Sequence, residues 1–139
     1  MRVKLIPTGR CELLGLSECL GRVFPEHSFE TVAARVEPDG ERVPFDGFTS
    51  GRLSPSLVPG NLLKVVQQLA SEVHPGRDGR PADLVVLLDD LELENADQAE
   101  VVVAAVRSAV RQHLAGLQQR ESAAKVQRVE EALREPARH

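Results

Sequence analysis

The sequence predicts an α/β domain with a mostly parallel sheet flanked by helices and a charged helix at its C-terminal end. Three observations predict it. Apolar segments of strand length occur at 2–7, 28–36 and 84–88. Segments with helical spacing lie between and after them. Strands that alternate with helices imply parallel pairing, because a parallel neighbour is reached only through a long crossover. A chain of 139 residues with 42% hydrophobic and 27% charged side chains has the size and composition of one globular domain.

The elements follow in order. Val3, Leu5 and Ile6 form the first apolar run, and Pro7, Thr8 and Gly9 break it. The spacing of Leu13, Leu14, Leu16, Leu20, Val23 and Phe24 predicts a helix over 11–23, stopped by Pro25. Phe29, Val32, Ala34 and Val36 partly alternate with polar residues and predict a strand over 28–36. The Pro- and Gly-rich stretch 37–59 reads as a long loop, and loops of that length in compact domains usually have a function. Asn61 is placed to cap a helix running to Val73. Residues 74–81 hold Pro75, Gly76, Gly79 and Pro81 and read as a turn.

Leu84, Val85, Val86, Leu87 and Leu88 form five consecutive apolar positions, the pattern of a strand covered on both faces. A helix is expected over 96–117, with Asp97 and Glu100 favouring its positive end. Residues 118–134 carry a charged helical pattern with Val126, Val129 and Leu133 on one side, a stripe suited to a protein partner or a second copy.

Composition narrows the function. Aromatic residues make up 3%, with no Trp or Tyr, so platforms for stacking single-stranded bases are missing. The net charge of −4 gives no overall basic footprint for coating DNA. Cys11 and Cys19 are two helical turns apart, about 12 Å, too far for a disulfide, and read as buried free thiols of a reducing compartment. Residues 1–7 have no signal-peptide layout and no segment is apolar over membrane length, so no membrane partner and a cytoplasmic location are expected.

The chemistry-bearing residues gather at two predicted strand ends. In open α/β sheets, sites form outside the carboxyl ends of the strands. The first strand ends in Thr8-Gly9-Arg10-Cys11-Glu12 and the third in Asp89-Asp90-Leu91-Glu92-Leu93-Glu94. In extended backbone Asp90 and Glu92 point to one side, where a hard divalent cation would relieve their repulsion. Mg²⁺ typically takes one or two protein carboxylates and keeps water and phosphate as its other ligands. Glu12 could supply a third carboxylate or act as general base. Acidic residues between a strand and a helix also serve as caps and dipole partners, and Asp89, Asp90, Glu92 and Glu94 fit that reading too.

Thr8-Gly9-Arg10-Cys11-Glu12 resembles the Glu-Gly-x-x-Glu/Asp turn of small Toprim-like proteins, and Leu87-Leu88-Asp89-Asp90-Leu91-Glu92 resembles their hydrophobic strand ending in Asp-x-Asp. The Toprim fold occurs in topoisomerases, primases and overcoming-lysogenization-defect-type nucleases. The chain also resembles the uncharacterised bacterial DUF4276-type Toprim-related group, often found near defence genes. The resemblance spans roughly residues 2–115 in element order. It implies a three-layer domain over 1–117 with a charged helical tail at 118–139. It implies Mg²⁺- or Mn²⁺-dependent phosphotransfer on a nucleic acid, with Glu12 and Asp90 catalytic and Glu12, Asp89, Asp90 and Glu92 holding the metal. Two departures stand out: Thr8 replaces the leading glutamate of the turn, and Glu92 replaces the second aspartate. Both suit an inactive member that serves as an interaction or oligomerisation module. A nucleotide-binding α/β domain is the third expectation, without a fingerprint, since the Gly-x-x-x-x-Gly-Lys-Ser/Thr spacing is missing. Ser50, Gly51, Arg52 and Ser54 are a weaker anion candidate, and Lys64, Arg77 and Arg80 weaker phosphate partners.

Overall fold

A computed structural model describes residues 1–49, 53–54, 56–77, 79–90, 99–118 and 123–134. Among these, the chain is a mixed α/β domain with a three-stranded parallel sheet and four helices. Strand β1 spans Arg2–Pro7, α1 Arg10–Val23, β2 Ser28–Thr31, β3 Arg35–Val36 and β4 Arg42–Val43. Then come α2 at Gly60–Val73, β5 at Leu84–Leu88, α3 at Ala99–Gln118 and α4 at Ala123–Arg134.

The sheet order is β2-β1-β5. The central strand is the most buried, with Val3, Lys4, Leu5, Ile6 and Pro7 all inside. Helix α1 packs on β1 and β2, whereas α2 packs on β1 and β5 and carries α3 and α4. Right-handed crossovers in opposite directions from a central strand put their helices on opposite faces. Alternation along β1 agrees. Ile6 joins Leu62, Val65, Val66 and Leu69 of α2, Val85 of β5 and Ala105 and Ala109 of α3 in one core cluster. Val3 and Leu5 point the other way.

Several expectations are corrected. The strand foreseen over 28–36 is two elements. β2 ends at Thr31, while β3 leaves the sheet to pair antiparallel with β4, so the long loop opens as a hairpin. Its turn is Pro38-Asp39-Gly40: Gly40 takes φ +88° and the Glu41 N–H donates to Asp39 Oδ1 at 2.9 Å. That triplet is a turn signal in its own right. Helix α2 begins at Gly60 with Pro59 as its N-cap, not Asn61. The proline ring fixes φ at −63°, which already suits a cap, and the Asn61 amide instead donates to the Gly47 carbonyl at 3.4 Å.

Among the described residues β5 is an edge strand whose second face is incompletely covered: only Val85 is fully buried, because α1 lies over β1 and β2 and leaves Leu84, Val86 and Leu88 half-buried. Cys11 and Cys19 are free but exposed, since each falls on the side of α1 away from buried Leu13. In helix α4 Val129 and Leu133 of the apolar stripe face inward. Val129 is 2% exposed and clusters with Ala70 of α2 and Leu114 of α3, with Leu133 packed beside them.

Lys4 is buried and its ammonium meets Glu30 on β2 at 2.8 Å and Glu72 on α2 at 3.8 Å. The hydrogen bond from Lys4 holds the Glu30 carboxyl below its ordinary value of 4.5, against a smaller opposing effect of burial. A lowered folded-state pKa gives stability that is complete above about 4.5 and is lost as pH falls through the lowered value. Glu30 is 64% exposed, so the contribution stays below about 1 kcal/mol. Glu30→Gln should lower stability at pH 7 by an amount under about 1 kcal/mol, and the difference from wild type should shrink as pH falls below about 4.5, where Glu30 takes up its proton. Urea midpoints at pH 3.5 and 7 check this.

Candidate functional site

Strands β1 and β5 run parallel with Pro7 opposite Leu88, so their carboxyl ends reach the same rim. The Thr8 N–H donates to the Leu88 carbonyl at 3.0 Å and extends the pairing one residue past the strand. After β1 the chain turns into α1 on one face, and after β5 it goes to α3 on the other. Adjacent strands whose connections leave to opposite faces define the switch point of an α/β sheet, where a crevice opens for ligands. Thr8 and Asp89 stand on its two sides.

The two side chains meet. The Thr8 hydroxyl donates to Asp89 Oδ1, and the Phe48 N–H donates to Asp89 Oδ2 at 3.1 Å. The neighbouring Thr49 hydroxyl donates to the backbone carbonyl of Asp90. Gly47 lies so close that a Cβ there would sit 3.3 Å from Asp89 Oδ1. The long loop therefore returns to the rim and is fixed to it. Phe45, Phe48 and Leu53 anchor it by sinking into the main core. Sequence reading missed Gly47, Phe48 and Thr49 as site residues. The signal was two of the chain's four Phe within four residues of a Pro/Gly-rich loop, which marks a loop with its own buried foothold.

Glu12 lies in the first turn of α1, whose N-cap is Gly9. Its carboxyl folds back over that cap, so that any side chain at Gly9 would collide with it. There it faces the positive end of the helix, which favours an anion. The ion pair of Arg10 with Glu41 ties the β3–β4 hairpin to the same end of α1. Asp90 is exposed, and Asp89 is half-buried. Glu92 and Glu94, and Ser50, Gly51 and Arg52 of the anion candidate, lie outside the described residues. Lys64, Arg77 and Arg80 are exposed.

Among the described residues no three His, Cys, Asp or Glu side chains stand close enough to hold a metal ion together. A cage of protein ligands alone is therefore not formed by Glu12, Asp89 and Asp90. Magnesium, however, commonly takes only one or two protein carboxylates, and that smaller demand suits the acids at this rim. Two hollows among the described residues lie elsewhere. One of about 390 Å³ lies at the start of β5, lined in part by Asp83, Arg128 and Glu131. Another of about 290 Å³ sits beside His74 and His113.

No helix among the described residues is long and apolar enough to cross a membrane. Comparison with protein-family models, with curated proteins and with solved structures found no match.

Proposed function

We propose that the chain is a Toprim-like three-layer domain whose working surface is the β1–β5 rim, and that this surface serves metal-dependent phosphotransfer of the nuclease kind. One observation supports the reading above all others: the pairing of Pro7 with Leu88, which brings Thr8, the first residue of the Thr8–Glu12 turn, against Asp89. In this reading Asp90, Asp89, Glu12 and Glu92 are the candidate ligands of Mg²⁺ or Mn²⁺, of which the ion would need only one or two. When bound, the ion would orient a phosphate and lower the pKa of a coordinated water. Asp89 is rigid because Thr8 and the Phe48 N–H hold both of its oxygens. Glu12, at the mouth of α1, is the acid placed to take a proton from an attacking water. The substrate class is nucleic acid.

A second reading rests on the same hydrogen bonds. Both Asp89 oxygens are spent on the chain's own groups, and Thr8 stands where the resemblance implies a glutamate. That arrangement suits a catalytically inactive interaction or oligomerisation module. Val129 and Leu133 of α4 are not its contact surface, because they pack against α2 and α3.

Titration with Mg²⁺ and Mn²⁺, read as thermal midpoint, separates the two. A cation at a hundred times its Kd stabilises by about 2.7 kcal/mol, a rise in Tm of roughly 8–10 °C for a chain of this size. The phosphotransfer reading expects such a rise in the wild type and its loss in Asp90→Ala. No shift with either cation would favour the inactive module.

A further inference from the structure

The loop segment 45–49 does more than border the crevice. Its Phe48 N–H is bonded to Asp89 Oδ2 at 3.1 Å, its Thr49 hydroxyl to the Asp90 carbonyl, and its Gly47 leaves no slack beside Asp89 Oδ1. The Asp89 carboxylate and the Asp90 carbonyl, groups that a ligand at a switch point would engage, are thus already engaged from within the chain. We infer that segment 45–49 is an autoinhibitory strap occupying the crevice, that Asp89 is its latch, and that a ligand of this rim gains access by displacing it. The inference rests on the phosphotransfer reading for what the strap guards, not for how it is held.

The geometry gives the strap two unequal parts. Phe45 and Phe48 are 9% and 6% exposed and bind it through the core, whereas Gly47 between them is held by polar contacts only: its carbonyl by the Asn61 amide and its flank by Asp89. A divalent cation drawing on the Asp89 oxygens competes directly with the Phe48 N–H. The segment can then lift at Gly47 while its aromatic anchors stay in place. Thr8, on the far side of Asp89, is a positioning residue, since its hydroxyl fixes the carboxylate plane that the strap uses.

The test is amide hydrogen exchange at Phe48 in the full chain, with and without Mg²⁺ alone as the probe. The Val32 N–H, which donates to the Leu5 carbonyl at 2.8 Å, serves as the internal reference. In Asp89→Asn one of the two acceptor oxygens becomes a donor, and Phe48 exchange should rise at least tenfold with Val32 unchanged. Gly47→Ala, which crowds the latch without altering charge, should raise it similarly. Mg²⁺ should speed Phe48 exchange in the wild type by at least threefold. Unchanged Phe48 exchange in both variants overturns the strap. A Mg²⁺-dependent rise in Tm that leaves Phe48 protected also overturns it, while keeping the metal reading. Freed exchange in both variants with no response to Mg²⁺ in exchange or Tm keeps the latch and removes the metal reading.

Discussion

Replacing Ile6 by alanine should cost about 3–4 kcal/mol, whereas replacing Leu14 should cost less than about 0.5 kcal/mol. In the sequence both are simply apolar residues inside an apolar pattern. In the fold Ile6 is fully buried near the carboxyl end of the central strand, against α2, β5 and α3. Leu14 is 67% exposed on α1. Shortening Ile6 removes three carbons from a place where strands on both sides and a helix above cannot easily close the gap, so a cavity term adds to the lost transfer energy. Total stability for a chain of this length is of the order of 10 kcal/mol, so Ile6→Ala removes about a third and lowers Tm by roughly 10–15 °C. Urea unfolding of the two variants checks the pair. A loss under about 1 kcal/mol for Ile6→Ala, or a larger loss for Leu14→Ala, would mean that the core is not organised around β1.

That contrast shows how far sequence reading reaches. Strand β1 is legible because an apolar run followed by Pro7, Thr8 and Gly9 has few alternatives. The meeting of β1 and β5 at one rim follows from parallel topology, which requires both carboxyl ends on the same side. The burial of β5 was not legible. Five apolar residues in a row do not distinguish a central strand from an edge one, and among the described residues β5 is an edge. The hairpin at 35–43 was announced by Pro38-Asp39-Gly40 but obscured by the approximate alternation running through Val36.

The acids of the candidate site were legible as types, and their partners were not. Asp89 is bonded to a backbone N–H 41 residues away, and a backbone donor leaves no mark in the side-chain pattern. The reading of Asp89 as a cap or dipole partner and its double anchoring in the fold differ for that reason. The small residues Ala105 and Ala109 of α3 carry little signal of burial in a sequence pattern. Both are fully buried in the cluster that joins α2 and α3, where a short side chain lets the helices come close.

The last element yields the second large effect. Val129→Asp should cost about 3 kcal/mol or more, because a carboxylate placed at a site 2% exposed among Ala70, Leu114 and Leu133 finds no partner for its charge. The chain has a way to limit that cost. It can release α4 from α2 and α3 and return the charge to water, so the loss saturates at the docking energy of the helix. The expected result is therefore local. Amides of 123–134 lose protection and helical ellipticity falls, while amides of β1 and β5 keep theirs. Gln127→Asp, one helical face away on an exposed position, should stay within about 0.5 kcal/mol of wild type. If α4 were instead a free-standing contact helix, Val129→Asp would leave monomer stability unchanged and alter only the mass in solution. Hydrogen exchange and light scattering on the same variant separate the two cases, and uniform loss of protection across β1 and α4 together would show that α4 folds only as part of the whole.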